Sequence, residues 1–93
     1  MSTIYVPTPE VSLAHVLKNL PEGFRIADRH PAYTVPCACI TDGTTTLWAF
    51  ERDGRVRFER YGQNRVADYL AKLGEALGVT FRDEYDLPIH PGD

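Results

Sequence analysis

Thr34-Val35-Pro36-Cys37-Ala38-Cys39-Ile40-Thr41, Asp42-Gly43, Thr44-Thr45-Thr46-Leu47-Trp48-Ala49-Phe50-Glu51, Arg52-Asp53-Gly54, Arg55-Val56-Arg57-Phe58-Glu59-Arg60-Tyr61: this stretch decides the fold, because it reads as three strands joined by two tight turns. An Asp-Gly pair between strand-like runs signals a two-residue type I′ hairpin. That turn sets Val35 opposite Phe50, Cys37 opposite Trp48 and Cys39 opposite Thr46. For the second turn the spacing predicts a three-residue Arg52-Asp53-Gly54 loop bulged at Gly54, which pairs Phe50 with Val56 and Trp48 with Phe58. A two-residue Asp53-Gly54 turn would instead set Phe50 against Arg57 and Ala49 against Phe58, mixing apolar with charged residues. The bulged register gives one apolar face of Val35, Cys37, Cys39, Trp48, Phe50, Val56 and Phe58. The other face carries Ala38, Ile40, Leu47 and Ala49 at one end, and Glu51, Arg55, Arg57, Glu59 and Tyr61 at the other. Pro36 has no N–H to donate, which makes the first strand an edge or bulges it there.

Towards the N-terminus, Thr8-Pro9-Glu10 reads as a helix start: a hydroxyl cap, a proline in the first turn and an early acid. Leu13, Val16, Leu17 and Leu20 follow at helical spacing and Pro21-Glu22-Gly23 stops them, giving a helix over about 9–20. Phe24-Arg25-Ile26-Ala27-Asp28 reads as a short strand and Arg29-His30-Pro31 as a turn. Towards the C-terminus, Asn64 caps a second helix over about 64–77. Its stripe is Val66, Tyr69, Leu70, Leu73 and Leu77, with Asp68 and Lys72 paired on its flank. Gly74 inside it costs about 1 kcal/mol against alanine; it points to close approach of a strand or partner, or to simple tolerance. Gly78 ends the helix, Val79-Thr80-Phe81-Arg82 reads as a last strand, and residues 83–93 as an irregular acidic tail. The fold class is therefore α+β over a single domain, 1–82. Its antiparallel sheet is built on the three-strand meander (about 34–61), both helices pack on one face, and Trp48, Phe50 and Phe58 meet the Leu70–Leu77 stripe in the core.

Composition narrows the function. At 93 residues, 43% hydrophobic and 25% charged, the chain is an ordinary globular domain. No apolar run of about 18 residues occurs, and Met1–Pro7 lacks the charged start and apolar core of a signal peptide, so a cytoplasmic location is expected. The two cysteines lie on one strand as Cys37-x-Cys39, poorly placed for a disulfide with each other, so reduced thiols are expected. A net charge of −3 gives no whole-protein attraction to nucleic acid or anionic lipid.

Cys37 and Cys39 with His15, His30 and His90 have ligand chemistry, but their spacing matches no zinc motif, and they read as core thiols. No metal or cofactor is expected. Asp28, Asp42, Asp53 and Asp68 each suit a turn or a helix position, and neither a phosphate-binding loop nor a nucleophile elbow is present. The chain reads as a non-enzyme; Cys37 or Cys39 acting with a histidine is the catalytic reading that remains.

Charge says more. Arg52, Arg55, Arg57, Arg60 and Arg65 place five of the ten basic residues in fourteen positions. Beside Tyr61, such a ribbon can lie in a nucleic-acid groove or stack on bases, yet Glu51, Asp53 and Glu59 interleave it as a self-satisfied sheet surface does. In the tail Asp83, Glu84, Asp86 and Asp93 alternate with Tyr85, Leu87 and Ile89, a pattern that either adds to a sheet edge on binding or tucks back on its own domain. The function expected is a small cytoplasmic protein-binding module. It would be a stoichiometric inhibitor or regulator, of the immunity-protein or phage-antagonist type, acting by surface occupancy through Arg55, Arg57, Tyr61, Tyr85, Asp86 and Leu87. A homodimer formed through an edge strand is a natural companion. The alternative is nucleic-acid binding by the 52–65 hairpin through Arg52, Arg55, Arg57, Arg60 and Arg65.

Overall fold

The computed structural model describes residues 3–28, 35–60 and 65–93. In chain order they form β1 (Thr3–Thr8), α1 (Leu13–Lys18), β2 (Arg25–Asp28), β3 (Cys37–Thr41), β4 (Thr46–Arg52), β5 (Arg55–Arg60), α2 (Ala67–Leu77) and β6 (Thr80–Asp83). The fold is α+β: two helices and one antiparallel sheet of order β2-β3-β4-β5-β1-β6.

Both hairpin turns depart from the sequence expectation, in opposite senses. The first is longer: Thr41 pairs with Thr46, leaving Asp42–Thr45 as the loop. Asp42 builds it, its Oδ1 accepting the N–H groups of Thr44 and Thr45. The second is shorter: Arg52 pairs with Arg55 across Asp53-Gly54. Asp53 and Gly54 both hold positive φ, 55° and 75°, which is what a type I′ turn demands. Aspartate enters that region at modest cost, so no bulge is needed.

Because side chains alternate, a slip of two residues keeps the faces of a strand and a slip of one exchanges them. Cys37 therefore faces Phe50 and Cys39 faces Trp48, still on a shared side. Val56 and Phe58, in contrast, pair with Glu51 and Ala49, on the opposite side from Trp48 and Phe50. The buried cluster unites Tyr5, Ile40, Leu47, Ala49, Val56, Phe58 and Phe81 of the sheet with Leu13 and Val16 of α1 and with Tyr69, Leu70, Leu73 and Leu77 of α2. The expected core is thus corrected: Phe58 belongs to it, while Val35, Trp48 and Phe50 are only half-buried and lie outside it.

The N-terminal strand is the largest addition. β1 was not anticipated, yet it lies between β5 and β6, pairing Tyr5 with both Phe58 and Asp83. Thr8 is consequently a strand residue and not a helix cap. Ser12 caps α1 instead, its Oγ accepting the His15 N–H at 3.1 Å, while Glu51 Oε2 accepts the Leu13 N–H at 2.7 Å. The first helix accordingly spans Leu13–Lys18 and not 9–20. The second begins at Ala67, not 64, where the N–H groups of Val66 and Ala67 donate to the main-chain oxygen of Asp93. β3 is not an edge, since β2 flanks it, and Pro36 precedes its first residue. Asn64, Tyr61, Thr34 and the Arg29-His30-Pro31 turn lie outside the described residues. Beyond β6, which runs through Asp83, Arg82 bridges to Pro88 and Ile89 packs against the core.

Two contacts make testable claims about this packing. A Cβ added at Gly74 would lie 2.6 Å from the Val79 carbonyl oxygen and 3.6 Å from the Phe81 ring, so the glycine is where α2 meets the approach to β6. Gly74→Ala is expected to cost about 1–3 kcal/mol in urea unfolding, although alanine's helix propensity alone would add about 1 kcal/mol of stability. Equal or greater stability would mean that α2 and β6 do not meet this closely.

Tyr69, buried under the sheet, donates its hydroxyl to the Ile40 carbonyl at 2.7 Å. Burial, helped by the nearby Asp42 and Cys39, holds its phenol well above the ordinary 10.0, and burial raises Tyr5 as well, against the pull of Arg60. A phenol raised on folding lends stability that is complete below the unfolded value and fades as pH climbs above about 10. Tyr69→Phe should cost about 1–2 kcal/mol at neutral pH and flatten the alkaline decline, read as denaturation midpoint against pH. An unchanged alkaline slope would exclude Tyr69 as its source.

Candidate functional site

The residues that alternate with the core positions assemble a second surface. Register places Cys39, Trp48, Glu59 and Ile4 in one row across β3, β4, β5 and β1, and Cys37, Phe50 and Arg57 in the next. Val6 continues the β1 side of this surface, opposite Arg82 of β6. Ile4, Val6, Cys37, Trp48, Phe50, Arg57 and Glu59 are half-buried, Cys39 is buried, and Arg52 and Arg55 at the hairpin end are exposed. The outer face is thus apolar in its middle and basic at one end.

Its charges are partly spoken for. The Arg52 guanidinium lies 5.9 Å from the Phe50 ring centroid, within cation–π range. Arg57 forms a two-pronged ion pair with Glu10, at 2.7 and 3.0 Å, on the segment leaving β1. Between these residues runs a groove of about 400 Å³ with Ile4, Val6 and Phe50 in its wall, lined also by Arg52, Asp53, Arg55, Arg57 and Glu84.

Of the arginines singled out in the sequence, Arg52, Arg55 and Arg57 share this groove. Arg60 follows core-facing Phe58 by two residues and stacks its guanidinium 5.8 Å from the Tyr5 ring centroid, on the other side of the sheet. Arg65 lines a separate polar pocket of about 280 Å³ with Asp42, Asp68 and Asp93. The five-arginine ribbon is not one surface.

The C-terminal segment divides in the same way. Ile89 turns inward, whereas Tyr85 and Leu87 are 76% and 57% exposed. The turn that presents them is built by Asp83, whose Oδ1 accepts the N–H groups of Tyr85 and Leu87, both at 2.9 Å. Arg82 donates to the Asp86 carbonyl at 3.0 Å and stands 3.7 Å from its carboxylate. Of this turn, Glu84 lines the groove beside Arg55 and Arg57.

The site also holds residues that the sequence reading assigned to the core or passed over: Trp48, Phe50, Cys37, Ile4, Val6 and Glu10. The β-branched alternation of Thr3-Ile4-Tyr5-Val6 was the available signal for β1.

For the remaining chemistry, Cys37 is half-buried and Cys39 buried, and among the described residues no group of three His, Cys, Asp or Glu is spaced to hold a metal ion. Nor, among the described residues, is any helix long and apolar enough to cross a membrane. No protein family, curated protein or solved structure matches the chain.

Trp48 is the single tryptophan of the chain, and its fluorescence therefore reports the register directly. On the outer face its emission is expected to be that of a partly solvated indole, quenched by acrylamide in the native state and blunted by little on adding denaturant. An emission that acrylamide reaches only after unfolding would restore Trp48 to the core and with it the bulged turn.

Proposed function

We propose that this protein is a small cytoplasmic protein-binding module, a stoichiometric inhibitor or regulator that acts by occupying the surface of another protein. In this reading both helices cover one face of the sheet, whose centre is the β3-β4-β5 meander, and the opposite face docks. The observation that carries it is the row of half-exposed Trp48, Phe50, Ile4 and Val6 beside Arg52, Arg55 and Arg57. Tryptophan, other aromatics and arginine are the residue types that concentrate binding energy in protein interfaces. A sheet face meant only for solvent would carry polar residues at those positions.

The same aromatics favour one other reading, stacking of single-stranded nucleic acid bases on the sheet. The charge layout weighs against it: Arg57 is neutralised by Glu10, Arg60 and Arg65 stand elsewhere, and the chain carries a net −3. Polyanion binding needs several cations free to displace counterions.

The two readings separate in an affinity capture from lysate of the producing cells, run with and without nuclease, using the wild type and a Phe50→Ala/Arg55→Ala variant. A stoichiometric protein that survives nuclease and is lost, by more than about tenfold in affinity, from the variant is the expected result. A signal abolished by nuclease would transfer the site to nucleic acid.

A further inference from the structure

The outer face and the C-terminal turn complement each other in charge, each also offering apolar side chains, and Glu84 of the turn lines the groove of that face. Arg52 and Arg55 stand directly opposite at the end of the β4–β5 hairpin, both exposed. Among the described residues neither has a carboxylate at ion-pair distance. Like charges set directly across a sheet repel, and an anion between them turns that repulsion into attraction. Next to them the groove wall is apolar, formed by Ile4, Val6 and Phe50.

The C-terminal turn presents the inverse. Among the described residues Tyr85 and Leu87 are the exposed large hydrophobics, and Glu84 and Asp86 flank Tyr85. The two N–H bonds to the Asp83 carboxylate already fix the turn's shape, so docking it costs little ordering entropy. Glu84 lines the groove itself, which makes turn and groove one continuous patch. A self-complementary patch carrying both halves of a contact is what a two-fold, isologous pair requires.

Both sheet edges are poor alternatives for self-association. β6 is bridged by Pro88 of the tail, and β2 is four residues long with a break in its ladder between Ile26 and Asp28.

We propose that the chain pairs with a second copy face to face, the turn of each copy docking in the groove of the other. Tyr85 seats against Phe50, Ile4 and Val6 of the second copy, and the Glu84 carboxylate sits between its Arg52 and Arg55. This rests on the outer face being a docking surface: the pair occupies the face that a protein partner would take, and such a partner displaces the second copy.

Sedimentation velocity over a concentration series tests the pairing without any partner. The wild type should dimerise with rising concentration, and less so at high salt. Arg55→Glu and Glu84→Arg, both at exposed positions, should each weaken the pair by at least about tenfold. An equimolar mixture of the two variants should recover a dimer, because in the mixed pair one contact sets Glu84 against Arg55 as in the wild type and the other sets the two reversed charges against each other. Tyr85→Ala should weaken the pair to a similar degree. A wild type monomeric at every concentration, or a mixture no tighter than either variant alone, would overturn the pairing; capture of a partner by the monomeric wild type would remain possible and separates this failure from that of the docking face.

Discussion

The two-residue turn at Asp53-Gly54 is the constraint on which the rest of the structure depends. Positive φ at both positions lets β5 return against β4 with Arg52 opposite Arg55. The consequence is a question of parity: one further residue in that turn would send Val56 and Phe58 to the side of Trp48 and Phe50. With the short turn, Val56 and Phe58 join Ile40, Leu47 and Ala49 in one buried cluster with residues of both helices, and the outer face is defined by exclusion. The long first turn changes nothing of this kind, since it shifts β3 by an even number.

The same parity brings Glu51 to the core side, where its carboxylate meets the start of α1. A charged residue in that row looks misplaced until its bond to the Leu13 N–H is considered, since it satisfies one of the donors a helix start leaves open. Val56 donates its N–H to the Val11 carbonyl close by and Arg57 pairs with Glu10, so the stretch from Glu10 to Leu13 is stitched to the hairpin at three points. β1, the first of the described strands, pairs with β6, the last, across more than seventy residues of sequence. Such long closures are entropically late steps, which makes β1 and β6 dependent on the local β3-β4-β5 pairings forming first.

How much of this was legible in the sequence follows from which signals are local. The α2 stripe of Val66, Tyr69, Leu70, Leu73 and Leu77 is buried as its periodicity indicates, and Gly74, for which the sequence leaves close approach and simple tolerance open, sits at a close approach. The antiparallel α+β class was legible for the same reason. The turn lengths were not: an Asp-Gly dipeptide is compatible with two-, three- and four-residue loops, and the choice among them was made on segregation of apolar from charged residues. That criterion assumes that the face opposite the core is polar. Here it is not, so maximising segregation selected the wrong register and moved Trp48 and Phe50 into the core. β1 escaped because its pairing is wholly non-local, and the helix start assigned to Thr8-Pro9 competed for the same residues. The arginine cluster was legible as composition, but its division between Arg52, Arg55, Arg57 and the inward Arg60 again depends on parity.

A failure of this kind is itself informative. Foldable sequences agree with their folds at most positions and depart from them where something other than stability is selected. A strand pair that alternates cleanly between apolar and charged sides would have folded into the same sheet with a wet outer face and a simpler register. This chain instead places its one tryptophan, a phenylalanine and two β-branched residues on the side away from the core cluster, and holds at their border two exposed arginines, Arg52 and Arg55, that no carboxylate of the described residues neutralises. Exposed apolar surface rimmed by charge is a liability for solubility. The rest of the domain is well satisfied, the described side chains leaving no buried polar atom unpaired, so this face is the feature on which the proposed docking function rests.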